Sequence, residues 1–335
     1  MDIELFDKII SLENLFDAYR EFQRGKRSRR DVLEFDYFLE DNIFSLRQRL
    51  LDGSWQHGGY ETFTVCDPKP RTIHKASVSD RILHHAVTRV LEPIFEPSFI
   101  YDSWSCRVGK GNIGAVLRVE SFYRRLSDKT REPIWALKLD IKKYFANVDQ
   151  NILLRLIGKK FSDERTTHLI KNIIGSFPKG LPLGNLTSQL FANIYLNPLD
   201  HFIKENLRGR FYLRYCDDLL LLSSNREQLI EAINSIRNFL AIELDLVLSP
   251  QKISLRPFHH GVDWLGFVLF PTHRELRPGT KRRLLSRCSA LTFGYLDGRV
   301  SPEYLQASLI SVYGMLCLGR HGEDRKLLAC LMKCL

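Results

Sequence analysis

Phe211-Tyr212-Leu213-Arg214-Tyr215-Cys216-Asp217-Asp218-Leu219-Leu220-Leu221-Leu222 is the stretch on which the fold turns. An apolar, aromatic run enters it and four leucines leave it. Between them stand two adjacent acids, which neither a buried strand nor a helix places there for stability. Two strands joined at a tight turn put both carboxylates at the tip, on the rim of a buried sheet. An unpaired buried carboxylate is costly, so the pair needs cations, hydrogen bonds or water. Aspartate is also a common turn residue, so this stretch alone fits a polar turn as well as a reactive site.

The chain has 335 residues, 44% of them apolar, enough for two or three subdomains around a sizeable core. Its 49 Lys and Arg against 39 Asp and Glu leave a formal charge of +10, which favours a polyanionic partner. The seven cysteines (Cys66, Cys106, Cys216, Cys288, Cys317, Cys330 and Cys334) form neither a CxxC framework nor a His/Cys cluster. With an odd count, no signal peptide and no apolar run of transmembrane length, they read as reduced thiols in a cytoplasmic protein. That pattern argues against a structural zinc and against a membrane partner.

Residues 1–50 read as helical, with a basic cluster at Arg24, Lys26, Arg27, Arg29 and Arg30 that fits a solvated helix end or a nucleic-acid contact. Trp55 to Val65 predicts strand structure around a Gly58-Gly59 turn. Asp67-Pro68-Lys69-Pro70-Arg71 is an extended basic ribbon, because proline forbids a regular helix there. Residues 79–95 predict an amphipathic helix capped by Ser79, with Ile82, Ala86, Val90 and Ile94 on its apolar face. A glycine-punctuated basic loop at 107–112 precedes a helix over 113–126. Pro133 to Leu139 reads as a strand, 150–175 as helical, and 180–187 as a loop feeding a helix near Thr187 or Ser188. A helix over 225–241, a strand over Leu244–Leu248 and another over Trp264–Phe270 follow. Beyond residue 272 there are eleven Lys and Arg against five Asp and Glu. Ser301-Pro302 starts a helix there and Gly319 stops it.

Asp140 is the third acid. It ends the β-type run Ile134-Trp135-Ala136-Leu137-Lys138-Leu139. A strand-end acid beside a hairpin-tip pair can hold two Mg²⁺ ions, roughly 3.5–4 Å apart, that activate an attacking hydroxyl and stabilise the leaving oxygen of a phosphoryl displacement. Nothing in the sequence alone brings the three acids together in space.

Taken in order, Lys69-Pro70-Arg71, Leu139-Asp140-Ile141-Lys142-Lys143-Tyr144-Phe145, Gly184-Asn185-Leu186-Thr187-Ser188-Gln189, Tyr215-Cys216-Asp217-Asp218, Lys252 and Trp264-Leu265-Gly266 resemble the successive motifs of reverse transcriptases. The resemblance covers roughly residues 55 to 270. It implies an α+β right-hand polymerase fold: an N-terminal helical extension (1–54), fingers and a palm whose antiparallel sheet carries the acids (55–271), and a small, basic helical thumb (272–335). It implies that Asp140, Asp217 and Asp218, with the Ile141 carbonyl, bind two Mg²⁺, for which Mn²⁺ can substitute. It also implies that Lys69 and Arg71 grip the incoming dNTP and that Phe145 excludes a 2′-hydroxyl, where the bland alternative is a core phenylalanine. Lys252 matches a lysine that protonates the departing pyrophosphate; a solvated loop lysine is its competitor. Trp264, Leu265 and Gly266 match the primer grip, and the basic tail would hold the template–primer duplex by its phosphates.

Many reverse transcriptases have Gln-Gly-x-x-x-Ser-Pro where this chain has Leu183-Gly184-Asn185-Leu186-Thr187-Ser188-Gln189. Both departures, Leu183 and Gln189, resemble the diversity-generating retroelement enzymes, which are group II intron-like. Ser105-Cys106-Arg107-Val108-Gly109-Lys110-Gly111 and Leu190-Phe191-Ala192-Asn193-Ile194-Tyr195-Leu196-Asn197 do so too. That resemblance implies copying of template-repeat RNA with misreading of adenines, and a small basic oligomeric accessory protein as partner. A bacterial, archaeal or phage source follows from it. With the sequence ending soon after the expected thumb, no maturase or endonuclease region of the group II intron kind is expected, and retron elements and an RNase H domain are not expected either. A phage-defence or otherwise domesticated reverse transcriptase is the alternative within the class. A non-catalytic RNA-binding protein on a polymerase-like fold is the alternative outside it.

Overall fold

The computed structural model describes residues 4–66 and 69–319. Within them the chain is a mixed α+β protein whose sheets are all antiparallel. Four N-terminal helices, α1 (Leu5–Ile9), α2 (Leu12–Phe22), α3 (Arg30–Tyr37) and α4 (Leu39–Leu51), pack their apolar stripes into the larger core. The basic cluster lies in the turn between α2 and α3, largely exposed.

Residues 55–60 are irregular, and the Gly58-Gly59 hairpin expected there does not form. Strand β1 (Glu61–Val65) instead pairs with β2 (Arg71–Lys75) across the proline-containing segment. Helix α5 (Val78–Phe95) starts two residues earlier than its cap was read. Ser77, not Ser79, accepts from the Asp80 amide, because the capping side chain must precede the first helical turn. Ile82 and Ala86 are fully buried, and Val90 and Ile94 pack at the edge of the same core.

Helix α6 (Asn112–Ser127) leads to β3 (Trp135–Asp140), the short α7 (Tyr144–Asn147), α8 (Gln150–Gly158) and α9 (Glu164–Gly175). The stretch read as helical over 150–175 is two helices. Asp163 breaks it by capping α9, and its other oxygen accepts from the Phe6 amide. Helix α10 (Leu186–His201) is followed by β4 (Tyr212–Tyr215), β5 (Asp218–Ser223) and α11 (Arg226–Leu244). The strand expected over Leu244–Leu248 is absent. Asp245 ends α11 in a left-handed conformation, and Leu248 makes only a single bridge to Ile141. Strands β6 (Ser254–Pro257), β7 (Val262–Trp264), β8 (Phe267–Leu269) and β9 (Arg274–Leu276) precede α12 (Pro278–Leu296) and α13 (Pro302–Cys317). The single strand expected over Trp264–Phe270 is a hairpin. Leu265 and Gly266 turn it with φ of 46° and 90°, the sign that the central pair of a type I′ turn requires. Ser301 caps α13 and Gly319 follows it, as read; Cys330 and Cys334 lie outside the described residues.

The sheet order β4-β5-β3-β6 explains the four-leucine run. Leu219 and Leu221 join Leu137 and Leu139 in the core that contains α5, α10 and α11. Leu220 and Leu222 join Ala136 in a second core with α6, the β7-β8-β9 sheet and α13. A strand covered on both faces needs no polar alternation. The cost is that any charge at the end of such a strand starts out largely desolvated.

Candidate active site

The register of the central sheet places Asp140, the last residue of β3, directly opposite Asp218, the first of β5. Cross-strand partners have Cβ atoms about 4.5–5.5 Å apart. The turn between β4 and β5 is Cys216-Asp217, so Asp217 stands at the tip and Asp218 belongs to the strand. Only Cys216 has positive φ in that turn, at 55°. The Ile141 amide donates to the Asp217 carbonyl at 3.2 Å, tying the end of β3 to the hairpin tip. Ile141 itself is buried.

Two ammonium groups meet these acids. Lys252, in a short 3₁₀ turn after Ser249, donates to Asp140 Oδ2 at 2.6 Å. Lys138 Nζ lies 3.7 Å from Asp218 Oδ1 and donates to the Asp263 carbonyl at 3.2 Å. The residues at 134, 136, 138 and 140 share one strand face, so Lys138 is on the face of Asp140 and looks toward the β7–β8 hairpin. That lysine was missed in the sequence, although a lone cation two residues before Asp140 in an apolar strand was a usable signal.

Burial raises the Asp218 carboxyl to about 6; Lys138 opposes the rise, and Asp217 and Asp140 add to it. Burial also pushes Asp217 up, with the Asp140 charge contributing. The hydrogen bond to Asp140 holds the Lys252 ammonium above its ordinary value, so it carries its proton at neutral pH. Asp140 Oδ1 is buried with no hydrogen-bond partner among the described residues. An orphan carboxylate oxygen beside two carboxyls strained by burial fits a divalent cation as the absent partner. Among the described residues no three His, Cys, Asp or Glu side chains converge as a ready metal cage. A Mg²⁺ site completed by substrate phosphates and water does not need one.

The other candidate residues lie on neighbouring elements. Phe145 is half-buried, edge-on to Tyr144, and its carbonyl accepts from the Leu181 amide at 2.7 Å. Gly180, φ 71°, makes that approach possible, since a Cβ there would meet the Phe145 oxygen at 2.3 Å. The Leu183 carbonyl accepts from the His74 amide at 2.8 Å, so the 183–189 loop carries the base of β2. Gly184, φ 129°, lies so close to His74 that a Cβ would stand 2.8 Å from its oxygen. Leu183 is half-buried and Gln189 exposed. Lys69 and Arg71 are exposed on the ribbon and form no ion pair among the described residues. Among the described residues no hydrogen bond or ion pair joins them to the acids. Trp264 is buried below the Leu265-Gly266 turn, within 5.8 Å of the Lys138 ammonium.

Beneath the 183–189 loop runs a buried polar chain that sequence reading also missed. Thr187 Oγ1 meets His84 Nδ1 at 2.8 Å, His84 Nε2 meets His57 Nε2 at 3.1 Å, and Tyr60 links Asn185 to Ser176. Burial lowers His84 to about 3, so its imidazole is neutral and its bonds here are structural. Arg107 of the basic loop is likewise structural: its guanidinium forks onto Glu96 and caps the Ile100 and Ser103 carbonyls.

A profile of the family described as reverse transcriptase (RNA-dependent DNA polymerase) matches residues 66–269. Protein YkfC of Escherichia coli K12 is 27% identical over 270 residues, covering 67% of this chain and 70% of that protein. The group II intron-encoded protein LtrA of Lactococcus lactis is 26% identical over 215 residues, covering 59% of this chain and 35% of that protein. Telomerase from Candida tropicalis superposes with a TM-score of 0.54 at 12% identity, over 77% of this chain and 52% of that one. That last likeness concerns the fold alone. The chain thus spans about a third of LtrA and about half of the telomerase. No helix among the described residues is long and apolar enough to cross a membrane.

Proposed function

The chain belongs to the reverse transcriptase (RNA-dependent DNA polymerase) family, and from that premise we propose that it copies an RNA template into cDNA by two-metal nucleotidyl transfer. The observation that carries the reading is Asp140 facing Asp218 across the sheet, with Asp217 at the adjoining turn and Asp140 Oδ1 unpartnered. In this reading the β1–β2 ribbon belongs to the fingers, the four-stranded sheet to the palm, and α12 and α13 to a thumb. Asp140, Asp217 and Asp218 would hold the divalent metal, which would supply charge neutralisation for the attacking 3′-hydroxyl and the leaving pyrophosphate.

The chain's own residues do the rest. Lys69 and Arg71, exposed and extended, close on the triphosphate. Arg71 presents a flat guanidinium that an ammonium cannot imitate. Phe145 fills the space under the sugar and excludes a 2′-hydroxyl. Lys252, protonated and within bonding distance of Asp140, gives its proton to the pyrophosphate oxygen. Lys138 offsets charge at Asp218 while its bond to the Asp263 carbonyl keeps the primer-grip hairpin beside the acids. The basic helices contact the RNA/cDNA duplex through phosphates in a salt-dependent, sequence-neutral way.

Within the family we assign the chain to diversity-generating retroelements, making cDNA for mutagenic retrohoming into a variable gene. Leu183 and Gln189 support this. A polar Gln in place of Leu183 fixes its surroundings by hydrogen bonds, whereas Leu offers only shape, and discrimination by hydrogen bonding is far stronger. A small basic oligomeric accessory protein belongs to the same reading.

Primer extension on a primed RNA with Mg²⁺ or Mn²⁺ tests the polymerase. Incorporation that persists in Asp217→Ala and Asp218→Ala would sink the mechanism. Leu183→Gln is expected to lower misincorporation opposite template adenine severalfold, and unchanged error removes the assignment to this branch. Flanking DNA carrying a near-copy repeat that differs mainly at adenines would support the branch independently.

A further inference from the structure

Behind the acids, on the opposite face of β4, lies a charged cluster that the reaction does not touch. Arg214 and Asp200 are 1% and 0% exposed. All five N–H donors of the Arg214 guanidinium are in use. Nε and one Nη2 donor hold Asp200 at 2.8 and 2.7 Å, and the other Nη2 donor reaches Ser103 Oγ at 3.0 Å. Nη1 donates to Asn193 Oδ1 at 3.1 Å and to the Cys216 carbonyl at 3.2 Å. Asp200 accepts a further bond from the Tyr212 hydroxyl at 2.6 Å. The backbone of the same residue is gripped as well: the Arg214 amide donates to Asp102, and the Trp104 amide donates to Arg214.

The Cys216 bond is the informative one. Cys216 is the first residue of the turn that carries Asp217, and it holds φ 55° without being glycine. A left-handed conformation in an L-residue persists only where the surroundings over-determine it. A fully buried ion pair adds little net stability over apolar residues of the same shape, but it can fix a register. Arg214 reaches the turn from below while anchored to both Asn193 and Asp200 of α10, the helix that begins directly after the Leu183-Gly184 loop.

We propose that Arg214, oriented by Asp200, is a positioning residue that holds the Cys216-Asp217 turn to α10 and thereby sets the place of the Asp217 carboxylate. The inference deepens the polymerase reading and rests on it for its kinetic consequence. Arg214 faces away from substrate, so it acts only through the turn backbone. Lysine keeps the charge for Asp200 but, as a point donor on a different stem, cannot reproduce the fork and the Cys216 bond together.

The test compares wild type, Arg214→Lys and the milder Ser103→Ala, which removes one of the five acceptors and leaves the ion pair intact. Two measurements are made on the folded protein: primer-extension kinetics, and the rate at which N-ethylmaleimide labels Cys216, read by peptide mass with the buried Cys288 as internal control. Arg214→Lys is expected to lower kcat at least tenfold with the dNTP KM within twofold, and to raise the Mg²⁺ needed for half-maximal rate. Cys216 labelling should accelerate at least fivefold in Arg214→Lys and about twofold in Ser103→Ala, with Cys288 unchanged. Wild-type kcat in folded Arg214→Lys, or unchanged Cys216 labelling, overturns the proposal. If Arg214→Lys does not fold, Ser103→Ala decides by labelling alone. A wild-type protein that makes no cDNA sinks the polymerase reading instead, while the labelling rates still decide whether Arg214 holds the turn.

Discussion

Two hairpins of this protein carry its candidate reactive charges, and they are built on opposite terms. The β4–β5 hairpin is buried on both faces, and its acids sit where water is scarce. The β1–β2 ribbon is exposed along the whole of β1, and its cations cost nothing to solvate. A two-stranded ribbon is marginal on its own. This one is fastened at its base, by the His74 amide on Leu183, by the His74 ring against Phe177 and by Lys75 on Asp31. Buried acids need a rigid scaffold, because each carboxylate must be held against repulsion before a cation arrives. In the proposed reading exposed cations need only reach, because the triphosphate would supply the geometry on binding. Placement is thus intrinsic to the chain in one hairpin and borrowed from the ligand in the other.

Substitutions in the two hairpins should separate along that line. Asp140→Ala and Asp217→Ala should each lower kcat by about 10³-fold or more, since the transition-state charge loses its stabilisation. A loss below about tenfold, in primer extension at saturating Mg²⁺, would break the distinction. Arg71→Ala should act on binding instead, raising the dNTP KM by about 10-fold, roughly one charge-assisted contact. Its Tm should stay within a degree of wild type. A large Tm loss there would mean the ribbon is part of the core after all.

The Mg²⁺ requirement should depend on pH through the buried hairpin alone. Asp218, raised from 3.8 to about 6, must lose its proton to face a cation. Half-saturating Mg²⁺ should therefore climb as pH falls through about 6, and Arg71→Ala should leave that profile where it is. The smallest effect is on stability. A carboxyl with a raised folded value binds its proton more tightly folded than unfolded. Metal-free protein therefore loses the corresponding stability as pH rises from about 4 to about 6. Asp218→Asn removes that loss and should raise Tm by about 2–4 °C above pH 6, with the gain vanishing near pH 4. Thermal melts of both proteins without metal, across that pH range, check the sign. A lower Tm for the variant at pH 7 would show that Lys138 compensates Asp218 fully.

Local residues were legible where local physics decides them. The hairpin that carries Asp217 and Asp218, the strand ending at Asp140, and the loop feeding α10 follow from runs of apolar residues and from turn chemistry. The structure has them, with the turn one residue earlier, at Cys216-Asp217, and Asp218 in the strand rather than at the tip. Where the sequence pointed wrongly, a neighbour in space won. Ser79 looked like a cap, but Ser77 bonds both the amide and the carboxylate of Asp80. Residues 244–248 looked like a strand, but Asp245 ends α11 with positive φ, and only Leu248 bridges, to Ile141 just past the end of β3. Trp264–Phe270 looked continuous because Leu265 is a poor turn former; the turn survives through Gly266, whose carbonyl accepts from the Arg277 amide at 2.9 Å.

The amino-acid order was enough to nominate Asp140, Asp217 and Asp218, with the lysines and arginines around them, because a phosphoryl-transfer reaction demands such side chains in any fold that performs it. It could not say that Asp140 faces Asp218, that Lys138 spans from Asp218 to the neighbouring hairpin, or that Arg214 grips the turn from behind. Those arrangements rest on partners distant in sequence, from the Asp200 that anchors Arg214, 14 positions away, to the Asp263 that holds Lys138, 125 positions away, and they exist only once sheet register and the packing of α10 have brought distant segments together.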